Sequence, residues 1–323
     1  MKAIVQDTYG PADVLELRDV DKPPIAAGEV LVRVRAAGVD RGVWHLMTGL
    51  PYPVRLAGSG LRTPKTTTPG TDMAGVVEAV GSDVTKFRPG DEVFGSGKGA
   101  YADYARAPEN KLAPKPATLT FEQAAAVPVS GCTALQGLRN RGRLTAGQRV
   151  LITGASGGVG TFAVQLAKAF GAEVTAVCST TKVDMVRSLG ADHVIDYTRE
   201  DFAAGEQRYD LILDIGGNPS LPRLRHVLTP HGTLVITGGE TSGRWLAGFD
   251  RQLRALLLSR FVGQKLTTFV STQNHADLIV LTELIDARQV TPVIDRTYPL
   301  SETPKAIQYL QDGHARGKVV ITL

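Results

Sequence analysis

The sequence predicts an α/β protein with a doubly wound parallel sheet, and three observations lead to that prediction. Strand-like segments alternate with helical stretches, and the strands fall at residues 149–153, 173–178, 209–214 and 233–237. Residues 210–214 and 234–236 are almost continuously apolar, as expected for strands with helices on both faces of the sheet. A glycine-rich turn joins the first of these strands to the helix after it.

That turn predicts a nucleotide site. Residues 150–160 read VLITGASGGVG, and a helical pattern follows until Gly171. A strand, a tight glycine turn and a helix N-terminus together hold a pyrophosphate. The run departs from the usual fingerprint at Ala155, where the first glycine is normally found. The alternative is a glycine turn with a purely structural role, but the order of strand, turn, helix and second strand favours dinucleotide binding.

The end of the second strand favours NADPH over NADH. NAD sites usually carry an acid there to bind the ribose hydroxyls. Here the strand is followed by Ser179, two threonines and Lys182, with no acid before position 184. Hydroxyls and a lysine suit a 2′-phosphate. The alternative is a solvated loop that ends at a helix N-cap, Thr180 or Thr181, and both interpretations can hold together.

The chain before the parallel sheet is rich in strands and turns. Residues 29–37 alternate in polarity, and further strands are expected at 74–80 and 92–95. Residues 47–70 hold many glycines, prolines, threonines and basic residues and predict a long loop, often a functional feature. Thr120 with Gln123 forms a capping-box pattern at the start of a helix.

The last part of the chain returns to a mixed pattern. Helices are expected at 276–287 and 303–311, and the apolar segment 318–323 is expected to join a sheet as a final strand.

Composition excludes several classes of function. The 323 residues contain 36 Lys and Arg against 32 Asp and Glu, and no long basic block suggests nucleic acid. Two cysteines are too few for a disulfide framework or a four-cysteine zinc site. No apolar run reaches the length of a membrane span, and the N-terminus lacks a signal-peptide pattern. We therefore expect a cytoplasmic protein that does not enter membranes.

Five stretches together resemble one family. They read AAGV at 36–39, PGTDMAGVVEAVG at 69–81, PGDEVF at 89–94, LGADHVIDY at 189–197 and GKVV at 317–320. Along its full length the chain resembles the medium-chain dehydrogenase/reductase superfamily, in particular the zinc-independent quinone oxidoreductases that include the reticulon-interacting oxidoreductases. The resemblance implies a GroES-like, β-rich catalytic domain from residues 1–123 and 273–323, with an NADPH-binding Rossmann domain, residues 124–272, inserted between them.

The resemblance also implies a site without metal. Zinc-dependent members place ligands at positions that correspond here to Asp40, Thr71-Asp72 and Val129. Catalytic zinc needs about three nitrogen, sulfur or oxygen ligands. Cys132 lies three residues from the last ligand position and is expected to be a small buried residue.

The resemblance further implies a set of site residues. Thr133, on a helix, and Trp44 or Tyr52, in the loop at 40–66, are candidates to donate a hydrogen bond to the acceptor oxygen. Trp44 either stacks on a flat substrate or belongs to the core. Asp40 is included in the site, although an ionised carboxylate only accepts hydrogen bonds. His45 aligns with a proton-relay histidine of zinc-dependent members, but a structural histidine is the favoured interpretation.

The cofactor residues follow from the same likeness. The pyrophosphate region is assigned Ala155, Ser156, Gly157, Gly158 and Val159, and the 2′-phosphate is assigned Ser179 and Lys182. Tyr197 either lies near the adenosine or ends a strand as an ordinary aromatic residue. Gly238 and Gly239 either border the nicotinamide or form a plain turn. Lys318 either reaches the nicotinamide side or is a solvated lysine near the end of the chain.

These inferences lead to one expected function. We expect hydride transfer from NADPH, without zinc, to a small hydrophobic quinone or α,β-unsaturated carbonyl, because such acceptors delocalise the incoming charge. The alternatives are an alcohol or aldehyde dehydrogenase and a non-catalytic NADPH-binding protein. A homodimer is expected through an edge strand between Gln264 and Ser271, since an alternating, partly apolar edge is better paired than exposed.

Overall fold

A computed structural model of the chain describes residues 1–238, 245 and 248–323. Its strands are β1 Lys2–Val5, β2 Glu16–Asp19, β3 Glu29–Val39, β4 Asp72–Val80, β5 Glu92–Ser96, β6 Tyr104–Pro108, β7 Leu112–Pro114, β8 Arg149–Thr153, β9 Glu173–Cys178, β10 His193–Asp196, β11 Tyr209–Asp214, β12 Leu228–Ile236, β13 Lys265–Thr268, β14 Ile294–Pro299 and β15 Lys318–Thr322. Its α-helices are α1 Arg41–Thr48, α2 Phe121–Ala125, α3 Pro128–Leu135, α4 Gly158–Ala169, α5 Val183–Ser188, α6 Leu221–His226, α7 Phe249–Leu258, α8 His275–Asp286 and α9 Thr303–Gln311.

The chain forms two compact units. The first contains Met1–Cys132, Thr272–Arg288 and Pro292–Leu323, and the second contains Thr133–Ser271 and Gln289–Thr291. The expected boundary after residue 123 therefore falls inside the first unit. The reason is packing: α2 lies against β3 and β4, and the Ala125 carbonyl is so close to Gly38 that a Cβ there would lie 2.5 Å from its oxygen.

The first unit is built on a seven-stranded sheet from both ends of the chain. The sheet order is β14-β15-β3-β4-β5-β7, and β6 also pairs with β3. The final strand joins this sheet as expected, with Val319 opposite Val39 in an antiparallel ladder. The side chains of Val32, Met73 and Ile321 are fully buried in its core. This register brings the C-terminal end of β3 close to the N-terminal ends of β4 and β15.

The second unit contains the expected parallel sheet. Its six strands are all parallel, in the order β10-β9-β8-β11-β12-β13. Leu151, Ile212 and Leu234 are fully buried, which fits strands covered on both faces. The carboxyl ends of the central strands β8 and β11 are directly adjacent, with Thr153 opposite Asp214. Ligands of open α/β sheets bind at this kind of edge.

The structure confirms some local predictions about helix ends and loops and changes others. The capping box at Thr120 and Gln123 is present with both reciprocal hydrogen bonds. The predicted helix at 161–170 begins earlier, at Gly158, since the glycines themselves form its first turn. Residues 47–70 are not one plain loop, because α1 ends inside them and Arg55–Ser59 form a π-helical turn. Among the described residues no helix is both long and apolar enough to cross a bilayer.

Candidate functional site

The glycine turn between β8 and α4 is shaped by two close approaches. Gly154 has a left-handed φ of 66°, which glycine adopts without strain. A Cβ on Gly160 would lie 2.2 Å from the Gly154 oxygen, so a glycine is required there to keep the helix against the turn. A Cβ on Gly157 would meet only that oxygen, at 3.5 Å. Packing therefore explains Gly160 but not Gly157, where the space beside the backbone is open.

The residues between the glycines hold the turn on the sheet. Ala155 is fully buried, and its amide donates to the Val177 carbonyl at the end of β9 over 3.1 Å. Ser156 is almost fully buried, whereas Gly158 and Val159 at the start of α4 are partly exposed. The unpaired amides in the first turn of a twelve-residue helix suit a pyrophosphate.

A buried ion pair, not predicted from the sequence, lies at the same edge of the sheet. Asp214 ends β11, and its two carboxylate oxygens accept hydrogen bonds from the Thr153 hydroxyl at 2.7 Å and from Arg251 of α7 at 2.6 Å. Burial raises the pKa of Asp214, and the guanidinium and the hydroxyl oppose that rise. The only sequence signal was a carboxylate at the end of an apolar strand.

The guanidinium of Arg251 connects three segments at this edge. Besides Asp214, it donates to the carbonyl oxygens of Pro219 at 2.8 Å and Gly238 at 3.2 Å. Gly238 also needs to be small, since a Cβ there would lie 2.1 Å from the Ile215 oxygen. A close backbone approach thus explains this glycine better than a plain turn does. The other glycine of the predicted pair, Gly239, lies outside the described residues.

At the end of β9 the structure places an acid that sequence reasoning missed. Asp196 ends the neighbouring strand β10 and accepts a hydrogen bond from the Thr180 hydroxyl at 2.5 Å. Bonds from Thr180 and Thr198 lower the pKa of Asp196. The alternative in which Thr180 or Thr181 caps a helix is wrong, because α5 has Lys182 at its N-cap position and no side-chain cap.

The predicted 2′-phosphate residues are partly exposed. Ser179 and Lys182 flank the short turn after β9, and Tyr197 follows β10 with 62% of its surface exposed. Burial and the nearby Asp196 raise the pKa of Cys178 to about 11, while Lys182 opposes the rise. The structure therefore brings Lys182 and Asp196 to the same strand end.

In the first unit, Asp40 and Lys318 form a buried ion pair. Lys318 begins β15 and is only 2% exposed, so the alternative of a solvated lysine is wrong. Its ammonium donates to Asp40 Oδ1, which also accepts from the Ser130 hydroxyl at 3.4 Å. Asp40 Oδ2 is buried without a hydrogen-bond partner. Asp40 is the residue before α1, yet its side chain makes no capping bond to the helix.

Asp72 completes this group as a second buried carboxyl. Its two oxygens accept hydrogen bonds from the Ser96 hydroxyl and the Val129 amide, both at 2.9 Å. Burial and the Asp40 charge raise the pKa of Asp72 well above its usual value, and Lys318 opposes this effect. We call Asp40, Asp72 and Lys318 the carboxylate–lysine cluster.

The remaining candidate residues lie in different settings. Trp44 on α1 packs against the core of the first unit, and its indole Nε1 is buried without a partner. His45 has its Nδ1 2.6 Å from the Leu50 carbonyl oxygen, which fits a structural role. Tyr52 stacks with Arg55, whose guanidinium lies 5.0 Å from the ring centre. In the second unit, the Thr133 hydroxyl donates to the Ser271 hydroxyl at 2.7 Å.

Comparison with known proteins places these features in a family. The sequence profile described as "alcohol dehydrogenase GroES-like domain" matches residues 26–117, and the one described as "zinc-binding dehydrogenase" matches residues 189–321. A relative from Mus musculus, "NAD(P)H oxidoreductase RTN4IP1, mitochondrial", is 35% identical over 100% of this chain and 89% of its own length.

Further relatives agree with that family. "NADPH-dependent alkenal/one oxidoreductase, chloroplastic" of Arabidopsis thaliana is 35% identical over 99% of this chain and 79% of its own length. The solved structure of the quinone oxidoreductase from Coxiella burnetii superposes with a TM-score of 0.88 at 30% identity, covering 100% of this chain and 99% of that one.

The fold and the glycine-rich sheet edge define a nicotinamide-dependent oxidoreductase with a GroES-like unit and a Rossmann unit. The chain belongs to the medium-chain dehydrogenase/reductase superfamily, in its quinone oxidoreductase-like branch.

The zinc implied by one profile description does not fit the residues present. Asp40 occupies a ligand position but is paired with the Lys318 ammonium, and Val129 occupies another with a side chain that has no atom able to bind a metal ion. Within residues 1–238, 245 and 248–323, no three His, Cys, Asp or Glu side chains are placed to hold a metal ion. Cys132 is fully buried, as predicted.

Proposed function

We propose that the protein transfers hydride from NADPH to a quinone or an α,β-unsaturated carbonyl without a metal ion. The observation that carries this proposal is the buried ion pair between Lys318 and Asp40. The Lys318 ammonium occupies the carboxylate that stands at the position of a metal ligand in zinc-dependent members. A conjugated acceptor spreads the incoming charge and needs little stabilisation by a Lewis acid. Relatives named as quinone and alkenal/one oxidoreductases support the same acceptor class.

The choice of NADPH rests on the end of β9. Ser179 and Lys182 offer a hydroxyl and an ammonium to a 2′-phosphate. The nearby Asp196 is already engaged by three hydrogen bonds from Thr180 and Thr198, which limits its role as a ribose acceptor.

When bound, the cofactor supplies the hydride, and the protein contributes binding and positioning. The first turn of α4 holds the pyrophosphate, while the Arg251–Asp214 pair fixes the carbonyl of Gly238 on the neighbouring strand end. Thr133, Trp44 and Tyr52 are the candidates to orient the acceptor by a hydrogen bond or by stacking.

A panel of acceptors tests this proposal. Quinones, enals, enones and simple ketones are assayed with NADPH and with NADH, and simple alcohols are assayed with NADP⁺ and with NAD⁺. We expect turnover of quinones or enones with NADPH and little turnover of simple ketones or alcohols. Oxidation of simple alcohols as the main activity would support the dehydrogenase alternative, and NADPH binding without turnover of any acceptor would support a non-catalytic role.

Lys182→Ala tests the cofactor assignment. The Michaelis constant for NADPH should rise about ten- to hundredfold, the value of one charge-assisted contact, while that for NADH stays nearly constant. Lys168→Ala is the matched control, since Lys168 pairs with Asp192 elsewhere in the same unit. Equal effects of Lys182→Ala on both cofactors would contradict the assignment.

We further propose a homodimer through β13. This strand is the last in the order of the parallel sheet. The Leu266 amide donates to the Ser259 hydroxyl rather than to β12, so alternation places the Thr268 amide on the outer side as well. Sedimentation at micromolar concentration should give a dimer, and Thr268→Pro should give more monomer than Thr268→Val. A monomeric native protein would contradict the proposal.

A further inference from the structure

Helix α7 turns its apolar face away from the core of the Rossmann unit. Four large apolar side chains with i, i+4, i+7 and i+8 spacing share one face of the helix, and all four are exposed: Phe249, Leu253, Leu256 and Leu257. The opposite face carries the buried residues Arg251 and Ala255. A surface helix normally turns its apolar stripe inward and its charged residues outward. The reversed arrangement indicates that the outer face of α7 is built to be covered.

Phe261 extends this apolar surface beyond the end of α7. Its side chain is 83% exposed, and it lines the same groove as Leu257. We call Phe249, Leu253, Leu256, Leu257 and Phe261 the α7 patch. A large apolar side chain has roughly 200 Å² of surface, so the exposed fractions of these five give a patch on the order of 500 Å². That is more than half of the ~800 Å² that each partner buries in a standard protein interface.

The α7 patch lies beside the edge strand β13. Ala255, on the inner face of α7, belongs to the same buried cluster as Leu234 of β12 and Leu266 of β13. The helix also packs directly against β13. Helix α7 therefore covers the last two strands in the order of the parallel sheet.

The two sides of the patch face different directions. Leu257 lines a groove together with Leu221 of α6, so this side of α7 faces the neighbouring helix of the same chain. Phe249 and Leu256 lie on the other side of the exposed face, which is turned towards the β13 edge. The apolar surface thus continues from the groove to the edge of the sheet.

Pairing of β13 with a second copy would bring two α7 patches together. Antiparallel pairing of a strand with its own copy puts the two-fold axis perpendicular to the sheet, so both copies of α7 fall on the same face. Neighbouring strands are about 4.8 Å apart, and a helix centred over β12 and β13 then lies about 10 Å from its copy. Packed helices have interaxial distances of about 8–10 Å.

We propose that the α7 patch is a subunit interface and that its occupant is the α7 patch of a second copy of this chain. The two helices run antiparallel, with Leu253, in the middle of the ten-residue helix, near the axis. Charge favours this partner over an anionic lipid surface, because Arg254 already pairs with Asp250 of the same helix. The inference rests on the homodimer proposed above and is independent of the proposed reaction.

Sedimentation equilibrium at micromolar concentration tests the interface. Leu253→Glu should weaken association at least about a hundredfold, because each copy would bury an unpaired carboxylate. Leu253 is exposed in the single chain, so the variant should still unfold cooperatively as a folded monomer. Leu17→Glu is the matched control, since Leu17 is an exposed leucine on β2 in the other unit and its replacement should leave the dimer intact.

Cysteine cross-linking tests the two-fold geometry. A short bismaleimide should join Leu253→Cys to its copy, whereas Leu17→Cys should stay uncoupled. The native protein measures the background, because Cys132 and Cys178 are buried.

The outcomes separate this inference from the other proposals. A dimer that survives Leu253→Glu but is lost in Thr268→Pro would overturn the α7 interface and leave the β13 pairing. A monomeric native protein would overturn both, and flotation of that monomer with vesicles of phosphatidylcholine and phosphatidylglycerol, abolished by Leu253→Glu, would assign the patch to lipid instead. Quinone reduction with NADPH is assayed on the same samples, so a failure of the proposed reaction is recorded independently of the oligomeric state.

Discussion

The two units each contain a buried ion pair, and the two pairs are satisfied differently. In the Rossmann unit, Asp214 has a donor on each oxygen, and Arg251 spreads its remaining bonds over two backbone carbonyls. In the GroES-like unit, Asp40 has its donors on one oxygen only, and Lys318 makes one further contact, at 3.5 Å, with the Val39 carbonyl.

The difference follows from the cation that each unit uses. A guanidinium is a planar fork that can hold several acceptors at fixed angles, whereas an ammonium is a compact point charge. The arginine pair is therefore suited to hold the segments that follow β11 and β12 at the carboxyl edge of the parallel sheet. The lysine places one positive charge against a buried carboxylate that has few other hydrogen-bond donors.

Breaking the arginine pair should have the largest effect on stability. Arg251→Met leaves Asp214 buried without its cation and should cost about 3–5 kcal/mol of unfolding free energy, as measured by urea denaturation. Because the same guanidinium holds Gly238, NADPH affinity should also fall. Arg254→Met on the same helix is the control, since Arg254 is exposed and pairs with Asp250. Equal losses in both variants would contradict the assigned role.

Single substitutions among the candidate acceptor-site residues should have smaller effects, on rate. Thr133→Val and Trp44→Ala should each slow single-turnover NADPH oxidation by about one to two decades, as expected for the loss of one donor or one positioning contact. Asp40→Asn should slow it by a similar factor, since Asp72 can then balance Lys318. A loss of more than about four decades in a variant that still binds NADPH would reveal an essential acid or base.

The pH dependence of stability should differ between Asp72 in the GroES-like unit and Asp214 in the Rossmann unit. The pKa of Asp72 is raised in the folded protein, so above pH ~3.9 the folded state keeps a proton that the unfolded chain releases. This contribution to stability is complete at low pH and is lost as the pH rises towards the folded pKa, by up to about 1.4 kcal/mol per pH unit.

Asp72→Asn should remove that slope, because an amide does not titrate. Lys318, Asp40 and Tyr101 are the charged or titratable groups around Asp72, and they are unchanged in this variant. The loss of stability with rising pH should extend over a wider pH range for Asp72 than for Asp214. The pKa of Asp214 is raised less, because Arg251 and Thr153 oppose the effect of burial. A native protein that gains stability from pH 4 to 6 relative to Asp72→Asn would contradict this account.

Local patterns were sufficient to predict much of the fold. The strand pattern at 149–153 and the glycine turn after it could be read from neighbouring residues, and so could the capping box at Thr120. The long-range ion pairs could not be predicted from neighbouring residues. Lys318 and Asp40 are 278 positions apart, and Arg251 and Asp214 are 37 apart, so their contact depends on the register and packing of the folded sheets.

The site residues show the same limit. The absence of an acid after β9 was visible in the sequence, but Asp196 reaches the end of β9 only because β10 pairs in register with it. The burial of Lys318 likewise depends on β15 pairing with β3, whereas a lysine near the end of a chain is usually solvated. The predicted cytoplasmic location stays a prediction, and relatives carry names that place them in mitochondria and chloroplasts.

The most direct test of metal-free hydride transfer is one measurement on the native protein. The zinc content is determined by elemental analysis before and after dialysis against a strong chelator, and NADPH-dependent quinone reduction is assayed on the same samples. We predict far less than one zinc per chain and an unchanged rate after chelation. About one tightly bound zinc per chain, with activity that disappears on its removal and returns with added Zn²⁺, would contradict the account.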